Sequence, residues 1–222
     1  MLVNKVQKVA IFFYENGSRG RDVLTDFLGD AELKSIMSDG YNAYVFIGDE
    51  LKSAQFKDTV HQVCMSHCNN KFVKAANQGK EPNAALFSND LKEFFANEHR
   101  YDEACLSPEE RLRERQSLAS KEILIRIRSR LDSELAKDPA FRSPYYTEAL
   151  NYLNHFWNEI FAFLKDGEFP IDNNLAGVSR GHYNMMLVAG LMEILSATIK
   201  EMRVGPSQSV YRNRLQTITS CV

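Results

Sequence analysis

The chain is poor in cysteine, has no long apolar run and carries no excess of charge of either sign. Its four cysteines (Cys64, Cys68, Cys105 and Cys221) show no disulfide-framework spacing. That excludes a small cross-linked secreted scaffold and points to reduced thiols in the cytoplasm. No apolar stretch reaches the length of a membrane span. The first eight residues lack the apolar core and small-residue cleavage site of a signal peptide, so no membrane partner is expected. The balance of 27 Lys and Arg against 29 Asp and Glu gives a net charge of -2. Any nucleic-acid contact must therefore rest on a local patch. Phosphate-binding loops, dinucleotide fingerprints, nucleophile elbows and fixed-period repeats are also missing.

What is present is an ordinary globular composition over 222 residues, 44% hydrophobic and 25% charged. That suits one domain, or one domain with a large insertion. Residues 9–14 (Val-Ala-Ile-Phe-Phe-Tyr) are apolar on both faces and predict a buried strand. A turn follows at Glu15-Asn16-Gly17-Ser18, then a helix over 19–28 with Val23, Leu24, Phe27 and Leu28 on one face and Gly29 as its stop. Residues 33–37 and 59–65 predict two more strands, and 66–78 a helix with Phe72, Val73 and Ala76 turned inward. This opening is α/β in outline. From 83 to 164 nearly everything has helical period. Ser107-Pro108-Glu109-Glu110 starts a helix expected to run to Lys137, with Leu124, Ile127, Leu131 and Leu135 as its stripe. Tyr146, Leu150, Leu153, Trp157, Ile160, Phe161 and Leu164 mark a last long helix. Asp172 or Asn173 caps a further helix near Leu175; 187–202 has helical composition, and 205–222 reads as irregular.

Three groups of residues carry candidate chemistry. Asp39 lies just past a strand end, in Ser38-Asp39-Gly40-Tyr41. It is either a turn aspartate bonded to its own backbone or a carboxylate at the strand terminus where open α/β sheets place their sites. His61, Cys64, His67 and Cys68 are zinc-ligand types, but they crowd one strand-helix junction instead of forming two separated pairs, and ordinary packing is the expectation. Arg126, Arg128 and Arg130, with Arg111, Arg113, Arg115 and Lys121, make the middle helical stretch locally basic. This is either a solvated face or a DNA-phosphate face.

Several stretches in order resemble the bacterial insertion-sequence-66 transposases. They are Phe12-Phe13-Tyr14-Glu15-Asn16-Gly17-Ser18-Arg19, Arg21-Asp22-Val23-Leu24, Phe27-Leu28-Gly29-Asp30 and Ser38-Asp39-Gly40-Tyr41. After them come Cys64-Met65-Ser66-His67 with Lys71-Phe72, Leu106-Ser107-Pro108-Glu109-Glu110-Arg111, and Asp166-Gly167-Glu168 with Ile171-Asp172-Asn173-Asn174. The resemblance implies a ribonuclease-H-like, integrase-type mixed sheet of five strands. It also implies an Asp-Asp-Glu triad holding two magnesium ions, and DNA ends as substrate. Water would cut a strand and a DNA 3′-hydroxyl would join it, two metals clamping the attacking and leaving oxygens. By this match Asp39 is the second acid, a catalytic and metal-holding residue.

Two departures are read against the resemblance. The strand at 9–14 matches the family's third, which leaves the first strand and its acid without a counterpart. That strand would then lack its neighbour, and the Asp39 strand would have an open edge. Past Asn174 the family continues with two small or apolar residues and Glu-Arg, whereas Gly177 and Val178 stand here. Such a stop inside a motif reads as a frameshift or rearranged gene end. The expectation is thus a partial ribonuclease-H-like core at 1–82, an all-helical insertion at 83–165, and a degenerate C-terminal region at 166–222. Such a chain is a transposase fragment with two of three acids absent and no catalysis. The alternative is a non-catalytic remnant that binds DNA through Arg126, Arg128 and Arg130, or binds intact transposase or its own copies.

Overall fold

The computed structural model describes residues 20–29 and 31–174 in full, and the backbone alone of Leu2–Asn4, Val9–Ile11 and Met185–Val188. The expected turn at 15–18, the helix beyond Leu175, Gly177, Val178 and the 205–222 tail lie outside the described residues.

Strands β1 (Leu2–Asn4) and β2 (Val9–Ile11) pair antiparallel, with Leu2 opposite Ile11 and Asn4 opposite Val9. The early strand is therefore not left without a neighbour, because the first residues of the chain supply one. Helix α1 (Arg21–Leu28) buries Leu24 and Leu28. Gly29 ends it at φ +51°, a conformation that favours glycine, and returns its N–H to the Thr25 carbonyl. Strand β3 (Ser35–Ser38) runs parallel to β4 (Val60–Val63), with Ser35 opposite Val60 and Ser38 opposite Val63. On its other side β3 pairs antiparallel with β5 (Met185–Val188), Ser38 lying opposite Met185. The expected open edge is thus covered, by a strand whose last two residues, Leu187 and Val188, were expected to be helical. Backbone pairing asks only for extended conformation and free N–H and C=O groups, which a helical composition does not preclude. The described strands form a two-stranded and a three-stranded sheet, where the resemblance implied one five-stranded sheet.

All four residues of β3 are buried, including two serines. Each serine hydroxyl is satisfied from β4: Gln62 Nε2 donates to Ser35 Oγ at 2.9 Å, and Ser38 Oγ lies 2.9 Å from His61 Nε2. A slip of one residue would break both, so these pairs hold the register.

Helix α2 (Met65–Asn77) buries Met65, Cys68, Phe72 and Ala75. Over it lies α3 (Pro82–Glu103), whose Phe87 ring stacks on Phe72 with centroids 4.6 Å apart. The helix expected to run to Lys137 is two helices, α4 (Pro108–Arg115) and α5 (Leu118–Leu135). The foreseen capping box is present: Ser107 and Glu110 each bond the other's backbone N–H. A second cap breaks the run, because Ser117 Oγ accepts from Ser120 N. Along α5 the buried positions are Ser120, Ile123, Ile127, Leu131 and Glu134, and Leu124 and Leu135 pack beside them. The last long helix is likewise divided, into α6 (Pro144–His155), α7 (Trp157–Ile160) and a 3-10 turn at Ala162–Lys165. The break falls at Phe156, buried with φ -102° and ψ 25°. No helix among the described residues is long and apolar enough to cross a membrane.

Arg115 closes the first break. It is 3% exposed, and Nε and Nη2 donate to the two oxygens of buried Glu98 at 2.8 and 2.7 Å. Nη1 donates to the Phe163 carbonyl at 2.8 Å and to the Asp166 carbonyl. Glu98 also receives Arg111 at 2.7 Å. Such a group is costly to bury unless every N–H is used. We therefore expect Arg115→Met to cost about 3–5 kcal/mol, since it strands Glu98 and two carbonyls. Urea unfolding checks this, and a loss under about 1 kcal/mol would refute it.

Candidate functional site

Asp39 stands where the sequence placed it, directly after β3. Each residue of Ser38-Asp39-Gly40-Tyr41 has a separate physical task. The Ser38 hydroxyl, already against His61, accepts from Gly40 N at 3.1 Å. Asp39 Oδ1 accepts from Tyr41 N at 3.1 Å, an Asx-type turn. The turn reading of Asp39 is thus met by one oxygen, and the half-buried carboxylate also lines a cleft. Gly40 has φ +77°, and a Cβ there would meet Tyr152 Oη at 2.8 Å and Phe156 at 3.0 Å. That closeness lets the Tyr152 hydroxyl donate to the Asp39 carbonyl at 2.9 Å. The strand end is therefore fastened to α6 of the helical region.

Asp172 comes to the first turn of α2. Its Oδ2 accepts from Ser66 Oγ at 2.9 Å, and its Oδ1 accepts from Asn174 N at 3.1 Å, an Asx-type turn. Met65 N donates to the Ile171 carbonyl at 3.2 Å, and Asn173 N to Cys64 Sγ at 3.4 Å. Between the two aspartates lies half-buried His67. Burial lowers its pKa below the ordinary histidine value, nearby Lys71 adds to that, and the charges of Asp39 and Asp172 oppose it.

Three of the four residues of the zinc-type group, His61, Cys64 and Cys68, are buried in the core, and His67 faces the cleft. His61 is buried and its pKa falls to about 4. Burial raises both the Cys64 and Cys68 thiols. Among the described residues no three His, Cys, Asp or Glu side chains come together to hold a metal ion. A magnesium pair needs several converging oxygen ligands, so the described residues do not fit the two-metal site that the resemblance implied.

The three arginines of α5 all face carboxylates. Arg126 Nε meets Asp90 at 2.8 Å and its Nη2 meets Glu93 at 2.5 Å. Arg130 joins the same buried Asp90 and lies over the Phe87 ring. Arg128 pairs with Asp132 and donates to Asn154 at 3.1 Å. The burial of Asp90 on α3 is thereby explained.

Sequence reasoning passed over the rest of the cleft at Asp39, about 350 Å³ in volume. His67, Asn70, Lys71 and Lys74 of α2 line one side, and Tyr145 and Glu148 of α6 the other. The available signal was polar residues at helical spacing opposite the buried face of α2.

The model of the family described as Transposase IS66 family matches residues 2–177. No curated protein matches the chain, and no solved structure matches it.

Two outcomes are expected from this geometry. Gly40→Ala must strain the backbone and displace Tyr152, costing about 1–3 kcal/mol; a variant melting with the parent would refute the close packing. His61 is neutral when folded and ionises near pH 6.5 when unfolded, so between the two pKa values the unfolded chain binds more protons. Stability is then full above about pH 6.5 and declines by about 3 kcal/mol as pH falls to about 4. Urea titrations across that range should show the slope, with His67 adding in the same sense, and His61→Gln should flatten it.

Proposed function

This chain belongs to the Transposase IS66 family, and from that premise we propose that it is a catalytic-domain stretch of a DNA transposase that does not itself cut DNA. The observation that carries the reading is the match over 2–177 together with Asp39 at the C-terminal end of β3, on a cleft. A strand carrying a carboxylate at that end, paired parallel with its neighbour, supports a ribonuclease-H-like core. On this reading residues 1–82 are that core, 83–165 the helical insertion and 166–222 the degenerate end. Asp39 is the acid retained for a divalent metal, magnesium by the family pattern.

Inactivity rests on two facts. Gly177 stands where the family pattern has Glu, and the described residues bring no three metal-ligand side chains together. One carboxylate cannot clamp both the attacking and the leaving oxygen of a phosphoryl transfer. Asp172 does not replace the missing acid, since its oxygens are taken up by Ser66 and Asn174. The reading implies a cytoplasmic protein that meets transposon-end DNA, and either intact transposase or further copies of itself.

The sequence offered a second assignment, in which Arg126, Arg128 and Arg130 hold DNA. Their ion pairs to Asp90, Glu93 and Asp132 weigh against it, because phosphate would have to displace carboxylates already in place.

The test is a plasmid-nicking and strand-transfer assay with magnesium or manganese. We expect no product above the level of Asp39→Ala. Metal-dependent nicking that Asp39→Ala abolishes would overturn the inactivity.

A further inference from the structure

One wall of the Asp39 cleft is a row of polar, nitrogen-bearing side chains on one helix. His67, Asn70, Lys71 and Lys74 recur at i, i+3, i+4 and i+7 along α2, the spacing of one helix face. Packing sets their direction: Cys68, Phe72 and Ala75 occupy the buried face of the same helix. From His67 to Lys74 the stripe covers about 10 Å of helix axis, close to three nucleotides at about 3.4 Å each along a strand. Its free end carries two ammonium groups.

The facing wall fits the same ligand. Lys71 Nζ bonds Glu148 at 2.5 Å and sits 4.8 Å from the Tyr152 ring. Lys74 Nζ lies 4.6 Å from the ring of Tyr145, itself 37% exposed. Two lysines thus share one carboxylate on this wall, whereas Arg126, Arg128 and Arg130 have three between them. Lysines act on phosphate as point charges and an open aromatic ring gives a sugar or base a flat support. Asp39 closes the stripe at its other end.

We propose that this face of α2 is a track for the sugar-phosphate backbone of a DNA strand, with Lys74 and Lys71 as its phosphate contacts, leading the strand to Asp39. Glu148 holds Lys71 in the absence of DNA and yields it to phosphate. The inference deepens the transposase reading and rests on it, but it needs no metal and no cleavage.

The test is fluorescence anisotropy of the full chain with a labelled oligonucleotide duplex, in EDTA, over a range of salt. Lys74→Ala should weaken binding about 3- to 10-fold and lower the slope of log affinity against log salt by about one. Glu148→Gln should tighten binding a few-fold, a gain that misfolding cannot mimic. Arg128→Ala should leave the slope unchanged.

Four results would overturn the proposal: no binding at low salt, an unchanged slope in Lys74→Ala, weaker binding by Glu148→Gln, or a slope lost in Arg128→Ala instead. Displacement by polyglutamate as effective as by unlabelled DNA would also overturn it, and assign the stripe to an acidic protein partner. Because EDTA removes divalent ions, nicking seen in the separate cleavage assay would refute inactivity and leave the track standing.

Discussion

A buried guanidinium must find partners for its N–H groups, and the way Arg115 places four of its five organises the described structure. Its bonds to Glu98 draw α4 against α3, and its bonds to the carbonyls of Phe163 and Asp166 fix the chain where the last helices end. From that fixed point the chain runs through Asp166 and Glu168, both paired with Lys34 beside β3. It then reaches Ile171, whose carbonyl accepts from the first residue of α2. A charge buried far from the cleft thus decides that Asp172 arrives at Ser66. Removing it would loosen the helical region and release the segment that frames one side of the site.

The helical region and the strand end are joined by a smaller device. Tyr152 reaches the Asp39 carbonyl only because Gly40 presents no side chain. The inserted helices are therefore part of the wall around Asp39 and of the support beneath it. The larger core runs from Val63 on the strand side to Phe163 and Phe169 at the end of the helices, and a second cluster, with Leu24, Leu28, Ile36 and Phe56, packs α1 against β3.

Much of this was legible in the sequence, and what was not has identifiable causes. Strong punctuation was readable: Gly29 as a stop, the Ser107–Glu110 capping box, and Asp39 after a short apolar strand. Periodicity found the helices but not their breaks, since Ser117 and Phe156 interrupt stripes that keep their period across the gap. The arginines of α5 looked like a free basic face because their partners, Asp90 and Glu93, lie more than thirty residues earlier in the chain. Strand β5 was missed because its partner β3 lies far earlier in the chain, and β1, which stands just ahead of β2, because three residues are too few to show a period. The α2 stripe was hidden because its apolar neighbours made the helix read as core, and only the position of α6 shows which side stays open.

The pairing of β5 with β3 has a consequence for which sequences can occupy that edge. The match to the family stops at residue 177, and Met185–Val188 lies past that point. A strand next to β3 is held through main-chain groups that every residue except proline possesses. The requirement at that seat is one of shape, and four residues beyond the matched span meet it. Side-chain chemistry has no such tolerance, so the strand beside β3 leaves its own sequence far freer than the turn at the end of β3 does.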